Sequence, residues 1–198
     1  MTITIEEIKR LRSLTGVGIT DAKKALVEAD GNFDKALEAM RKKGLTKADK
    51  RSEREARSGV VSTYNHDNRI GVLLEVNCET DFVARNELFT NMVKDIAMHI
   101  AASNPVYVGV ENVDKDVMTK AEAEFTKKAK DEGKPDNILP QIVQGMLKKH
   151  FSEICLLDQP FIKNPDQTVG NYIKEHIAKL GENIVVRRFS RMALGEVN

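Results

Sequence analysis

The side chains able to do chemistry in this sequence are few and scattered. Two cysteines, Cys78 and Cys155, and four histidines, His66, His99, His150 and His176, stand far apart, and no Cys-x-x-Cys pair occurs. That spacing gives no support for a zinc site, whose ligands usually arrive as close pairs. Gly16-Val-Gly18 lacks the third glycine of a dinucleotide fingerprint, and no strand pattern precedes it. The sequence holds neither a P-loop nor a nucleophile elbow. The many Asp and Glu residues between 114 and 151 read as the solvated face of exposed helices. No residue is assigned to catalysis, no metal ligand is assigned, and no cofactor is called for.

One stretch invites a different chemistry, that of recognition. Residues 79–87 read Glu-Thr-Asp-Phe-Val-Ala-Arg-Asn-Glu and follow the apolar run Gly71-Val-Leu-Leu-Glu-Val-Asn-Cys78. They are mostly polar, as a surface loop should be, yet Phe82 sits in their middle. Either Phe82 folds back under its own strand, with Asp81 capping a first turn, or it is held out for another molecule. The strand before it already carries its apolar residues, and Asn86 after it is a good helix N-cap, which favours presentation. A phenylalanine buried at a partner surface contributes on the order of 1.5–3 kcal/mol, the scale of an interface hot spot.

The elements that would position this stretch follow from pattern. The chain has 198 residues, 41% apolar and 31% charged, with 5% aromatics and no tryptophan. This fits one moderate domain or two small ones with a largely aliphatic core. Residues 4–43 read as three short helices. Thr4 with Glu6 and Glu7 is a start signal, Thr15-Gly-Val-Gly18 and Asp30-Gly-Asn32 are breaks, and the third helix ends near Gly44. Residues 41–57 carry eight basic and three acidic residues. They read as a linker or solvated helix, or as a basic contact surface for an acidic partner.

Residues 58–78 read as a β-hairpin turning at His66-Asp-Asn68, with the second strand the more central. Residues 86–103 give the clearest amphipathic helix. Residues 104–110 are extended. Residues 114–132 and 136–151 are helices joined at Gly133-Lys-Pro135, a helical hairpin projecting from the core, with Pro140 early in its second helix. Residues 152–167 are loop-rich. Thr168 to Leu180 is a last helix stopped by Gly181. A final strand over 183–192 places Val185, Arg187, Phe189 and Arg191 on one face. The fold class is therefore α+β.

Net charge is +1, which leaves no global electrostatic footprint for nucleic acid or an anionic membrane. Aromatics interleaved with basic residues, as a base-stacking platform needs, are lacking. Two well-separated cysteines suit free thiols in a reducing compartment. The N-terminus lacks the basic and apolar regions of a signal peptide. No 18-residue apolar stretch occurs. A cytoplasmic protein with no membrane segment is expected.

Two motifs then make a resemblance. Asn77-Cys-Glu-Thr-Asp-Phe-Val-Ala-Arg85 closely resembles one signature of the elongation factor Ts family, the guanine-nucleotide exchange factors of elongation factor Tu. Leu11-Arg-x-x-Thr15-Gly-x-Gly18-x-x-Asp21-x-Lys23-Lys24-Ala25-Leu26 resembles the other. Ala97-Met-His-Ile-Ala-Ala-Ser103, Gln159-Pro-Phe161, Gly181-Glu-Asn183 and Arg187-Arg188 also match, so the similarity covers essentially the whole chain.

The resemblance implies an N-terminal three-helix unit like ubiquitin-associated domains over residues 1–52, basic linker included. It implies an α+β core over 53–198 with the helical hairpin at about 113–151. The N-terminal unit would dock on the G domain of elongation factor Tu. Thr80, Asp81, Phe82 and Val83 would reach toward the nucleotide site, with Phe82 as a wedge that disturbs the Mg²⁺ and phosphate site and promotes GDP release. Leu14, Ile19, Thr20, His99, Leu180 and Gly181 match further contact positions. Ile19-Thr20 stands where the family often has two methionines, so that contact is less apolar here. Many members carry a duplicated core, whereas this chain has room for one. Short members tend to pair, which implies a homodimer burying the sheet face and a 2:2 complex. No bond is made or broken by such a factor, so it is not an enzyme. It needs no small-molecule substrate and touches no nucleic acid directly. The alternative is an adaptor for a ubiquitin-like protein, or an RNA-binding factor using the 41–57 patch.

Overall fold

Thr4 opens the first helix by closing a capping box: its hydroxyl accepts from the Glu7 amide at 3.2 Å, and the Glu7 carboxylate accepts from the Thr4 amide at 2.9 Å. The computed structural model describes residues 3–196; Met1, Thr2, Val197 and Asn198, which the expected domain limits include, lie outside the described residues. Helix α1 (Ile5–Thr15) ends where Gly16 adopts a left-handed backbone, φ 67°. Helix α2 (Ile19–Glu28) follows, and Asn32 caps α3 (Phe33–Asp49). Leu11, Ala22, Ala25, Leu26, Ala36 and Met40 form a core of their own among these three helices.

Helix α3 does not stop near Gly44 as the sequence pattern suggested. It runs on to Asp49 because Gly44 is buried against α8 (Val169–Leu180), where an added Cβ would lie 3.3 Å from that of Ala178. Ala48, one turn further, joins the main core. The 41–57 segment is thus a largely exposed helix and turn, as expected, but Gly44 and Ala48 are buried and dock it on the core. Lys174 pairs with Asp49 at 2.7 Å, Arg41 approaches Glu175 at 3.7 Å, and the Arg51 guanidinium donates to the Ile177 carbonyl at 3.0 Å.

Strands β1 (Ser58–His66) and β2 (Ile70–Cys78) form the expected hairpin. Its turn places Asp67 and Asn68 at positive φ and is closed by Arg69 N donating to the His66 carbonyl, the twist-matched turn such hairpins prefer. Strand β5 (Ile184–Ala193) pairs antiparallel with β2, so β2 is central in the order β1-β2-β5.

The expected alternation of β5 fails at one point. The register shifts between Glu75, opposite Arg188, and Val76, opposite Val186. Arg187 is thus the extra residue of a bulge. Ile184 and Val186 face inward before it, and Phe189 faces inward after it. Val185 and Arg187 stay exposed, off the face that Phe189 shares.

A one-turn helix, α4 (Asp81–Ala84), leads into α5 (Glu87–Ser103), whose Phe89, Met92, Val93, Ile96, Ala97 and Ile100 cover one face of the sheet. Helices α6 (Lys115–Asp131) and α7 (Leu139–Ile154) pair as a hairpin with a small core of Ala129, Leu139 and Val143. Pro140 stands in the first turn of α7. Residues 152–167 are more ordered than a loop. Helix α7 extends to Ile154, and β3 (Pro160–Phe161) pairs with β4 (Asn164–Thr168). The architecture is mixed α+β, with three N-terminal helices followed by helices on a small antiparallel sheet.

Gly16, the cap of α1, lies hard against α8: a Cβ there would stand 2.8 Å from the Lys179 Cα. Gly16→Ala is expected to lower unfolding stability by at least the ~1–2 kcal/mol that a left-handed alanine costs, read by urea denaturation. An unchanged midpoint would contradict both the left-handed backbone at Gly16 and its close approach to α8.

Candidate partner-binding site

Strand β2 ends at Cys78, and the chain turns through Glu79 and Thr80 before α4 begins. Thr80, not Asp81, is the N-cap: its backbone is extended (φ −132°, ψ 155°), and its hydroxyl oxygen faces the Val83 amide at 3.5 Å. Four residues are too few for a helix to persist unaided, so the turn must be held from outside.

Two carboxylates hold it. Glu182, just beyond the α8 cap Gly181, accepts from Glu79 N at 3.1 Å and Thr80 N at 3.0 Å, and takes the Thr80 hydroxyl at 2.6 Å. In return the Glu79 carboxylate accepts from Asn183 N at 2.6 Å. Asn183 also donates its side-chain amide to the Ser52 and Arg54 carbonyls, at 3.2 and 2.7 Å. Beneath the turn the Cys78 thiol donates to the Thr80 carbonyl at 3.2 Å, and burial, with Glu182 nearby, pushes its pKa up to about 11. It is a packed thiol rather than a reactive one.

Of the α4 residues, Ala84 is buried and Val83 packs against the main core. Asp81 is exposed and Phe82 is 90% exposed. The free chain thus holds the Phe82 ring in water, on a turn anchored at both ends. Asn86 caps α5 through the Leu88 amide at 2.8 Å.

The other expected contact residues fall into three groups. Leu14 and Ile19, 46% and 54% exposed, and exposed Thr20 flank the α1–α2 turn. Leu180 is half-buried against the main core, and Gly181 closes α8 with φ 84°. One cleft of about 400 Å³, lined by Lys9, Arg12, Ser13, Gly16, Leu88 and Lys179, joins the end of α1, the start of α5 and the end of α8. Among the described residues Lys9, Arg12 and Lys179 make no ion pair, so the cleft is basic.

His99 lies elsewhere, fully buried. Its Nδ1 accepts from Ile162 N at 3.2 Å and its Nε2–H donates to the Gln159 side-chain oxygen at 2.9 Å. Gln159 in turn donates to the Glu153 carbonyl at 2.7 Å. In this state His99 offers no surface to a partner, and it pins α5 to the β3 hairpin and the end of α7. Burial holds the imidazoles of both His99 and His176 below the usual histidine value.

Sequence reasoning named Gly181-Glu-Asn183 only as a matching segment and gave Glu182 and Glu79 no task. The one signal that could have found Glu182 is a carboxylate placed right after a glycine helix stop; nothing local marks Glu79. Among the described residues no three His, Cys, Asp or Glu side chains converge as metal ligands, and no helix is long and apolar enough to cross a membrane.

Because folding keeps two imidazoles neutral, the unfolded chain takes up protons that the folded one refuses below about pH 6.5. Their stabilisation is complete above that value and is lost as pH falls below it. The urea midpoint should therefore decline between about pH 7 and pH 5.5, above the ordinary carboxylate range. A flat profile there would contradict the neutral assignment.

The family model described as Elongation factor TS matches residues 19–196. The elongation factor Ts of Geotalea uraniireducens is 52% identical over 197 residues, covering 99% of this chain and 91% of that protein. That of Alkaliphilus oremlandii is 52% identical over 196 residues, with the same coverage. That of Thermodesulfovibrio yellowstonii is 50% identical over 196 residues and is covered over 98% of its length. Together with the α+β fold, these matches show that the chain belongs to the elongation factor Ts family.

Proposed function

We propose that this protein is a guanine-nucleotide exchange factor that binds elongation factor Tu carrying GDP and promotes GDP release during translation elongation. The observation that carries the reading is Phe82. A member of this family displays that ring to solvent at 90% exposure, on a turn tied at its start to Glu182 and Asn183 and seated at its end by buried Ala84.

In the proposed mechanism the Thr80–Val83 turn enters the neighbourhood of the nucleotide site. The Phe82 ring wedges between partner side chains and displaces the structure that positions Mg²⁺ and the phosphate loop. Leu14, Ile19 and Thr20 supply a second contact on the G domain, and Leu180 and Gly181 a third. The basic cleft between them suits an acidic patch on the partner. His99, being buried, acts by holding α5 in place. The driving force is linkage: the factor stabilises a nucleotide-poor conformation, so it weakens GDP binding by the same factor by which GDP weakens its own. This requires no bond to be made or broken, and no resident cofactor.

The RNA-binding alternative draws less support. It needs free cations over residues 41–57, and Arg41, Lys42, Lys43, Lys47, Arg54 and Arg57 each have a carboxylate neighbour. The reading also keeps residues 1–52 as a ubiquitin-associated-like unit and 53–198 as the core, in the cytoplasm.

We further propose a homodimer. The sheet face opposite α5 carries exposed Val61, Leu73 and Met192, with Met192 68% exposed. Leu73 neighbours Thr63 and Ser190 across the strands, and Met192 lies opposite Gly71. These exposed apolar side chains, close together on one sheet face, are what supports reading that face as the dimer interface. Light scattering at micromolar concentration should give twice the 22.2 kDa chain mass; only the single-chain mass would end the dimer proposal.

Phe82→Ala should slow stimulated release of fluorescent GDP from elongation factor Tu by roughly ten- to hundredfold, the kinetic equivalent of one lost apolar contact, with an unchanged melting profile. Wild-type stimulation by that variant would refute the wedge.

A further inference from the structure

We propose that Glu182 is the positioning residue that sets the direction in which Phe82 is presented; this rests on the exchange reading above. Phe82 is 90% exposed, so no packing holds its ring, and only the backbone of α4 can aim it. That backbone is one helical turn whose N-cap hydrogen bond is long, 3.5 Å from Val83 N to the Thr80 hydroxyl. The strong restraint is the Glu182 carboxylate, which takes both amides and the hydroxyl of Glu79–Thr80 at 3.1, 3.0 and 2.6 Å. Charge-assisted bonds of this kind are the stronger class.

The anchor itself is well placed to be stiff. Glu182 follows the left-handed Gly181 cap of α8. Asn183 next to it is buried, its amide given to Glu79 and its side chain to the Ser52 and Arg54 carbonyls. The turn is thus referred to α8, the same helix on which α3 docks. Presenting a ring already fixed in its wedging direction removes an ordering cost that a loose turn would incur in the release step, after the two proteins have met.

The test is stopped-flow release of fluorescent GDP from elongation factor Tu, titrated with the full chain. Glu182→Ala should lower the saturating release rate by roughly tenfold while moving half-saturation less than about twofold, the split expected when only the later step loses support. Glu182→Gln, which keeps one acceptor oxygen, should fall between. In a Phe82→Ala background, adding Glu182→Ala should slow release no further, because both act through the same ring. Thr80→Val removes the hydroxyl donor from the solvent side and should reproduce part of the loss even if Glu182→Ala folds poorly. Wild-type rates for Glu182→Ala and Thr80→Val, or full additivity with Phe82→Ala, would overturn the positioning role while leaving the exchange reading intact. No stimulation by the wild-type chain would instead remove the exchange reading and, with it, this inference.

Discussion

Two carboxylates, each gripping the backbone of the other's corner, hold the working part of this molecule in shape. Glu182 takes the amides of residues 79 and 80, and Glu79 takes the amide of residue 183. The exchange joins the end of the central strand to the end of α8 across about a hundred residues of chain. Amides at the start of a short helix are orphaned unless something caps them. Here the Thr80 cap is long at 3.5 Å, and a carboxylate from another element takes the two amides just before the helix, so the turn is held without being long. An apolar ring can then stand in water without collapsing onto its own surface.

Helix α8 is where the remaining parts meet. Its buried Val169, Ile173 and Ile177 join the main core. Ala178 receives Gly44 of α3, and Lys179 receives Gly16 of α1. Its Ile177 carbonyl takes Arg51, and the corner beyond it takes Glu79, Ser52 and Arg54. The N-terminal helices and the Phe82 turn therefore share one reference. A factor that touches its partner at two places gains from this, because fixed spacing spares it the cost of ordering a flexible tether.

Much of this was legible in the sequence where short-range rules decide. The capping box at Thr4, the glycine stops at Gly16 and Gly181, the hairpin at Asp67-Asn68 and the stripe of α5 are all written in spacing and residue type. What spacing could not give were contacts between distant segments. Gly44 looked like a helix end because glycine usually is one, but here it permits the close approach of α8. The basic run after it looked solvated because its cations are many, yet its alanine and glycine face the core. The bulge at Arg187 reversed the face of β5, which no alternation pattern can foresee. At the site itself Phe82 was ambiguous from composition, and its 90% exposure in the fold supports presentation over core packing. His99, chosen through resemblance as a contact, is buried in the free chain and braces α5.

The central claim is that Phe82 waits in solvent and becomes buried only in the partner. The sequence contains no tryptophan, so Phe82→Trp carrying 5-fluorotryptophan places one fluorine reporter at the wedge. The direct measurement is the H₂O/D₂O solvent shift of its ¹⁹F resonance, free and with nucleotide-free elongation factor Tu. The account predicts a full solvent shift in the free protein that disappears in the complex. A ring already shielded in the free protein, or one still solvent-exposed in the complex, would contradict it.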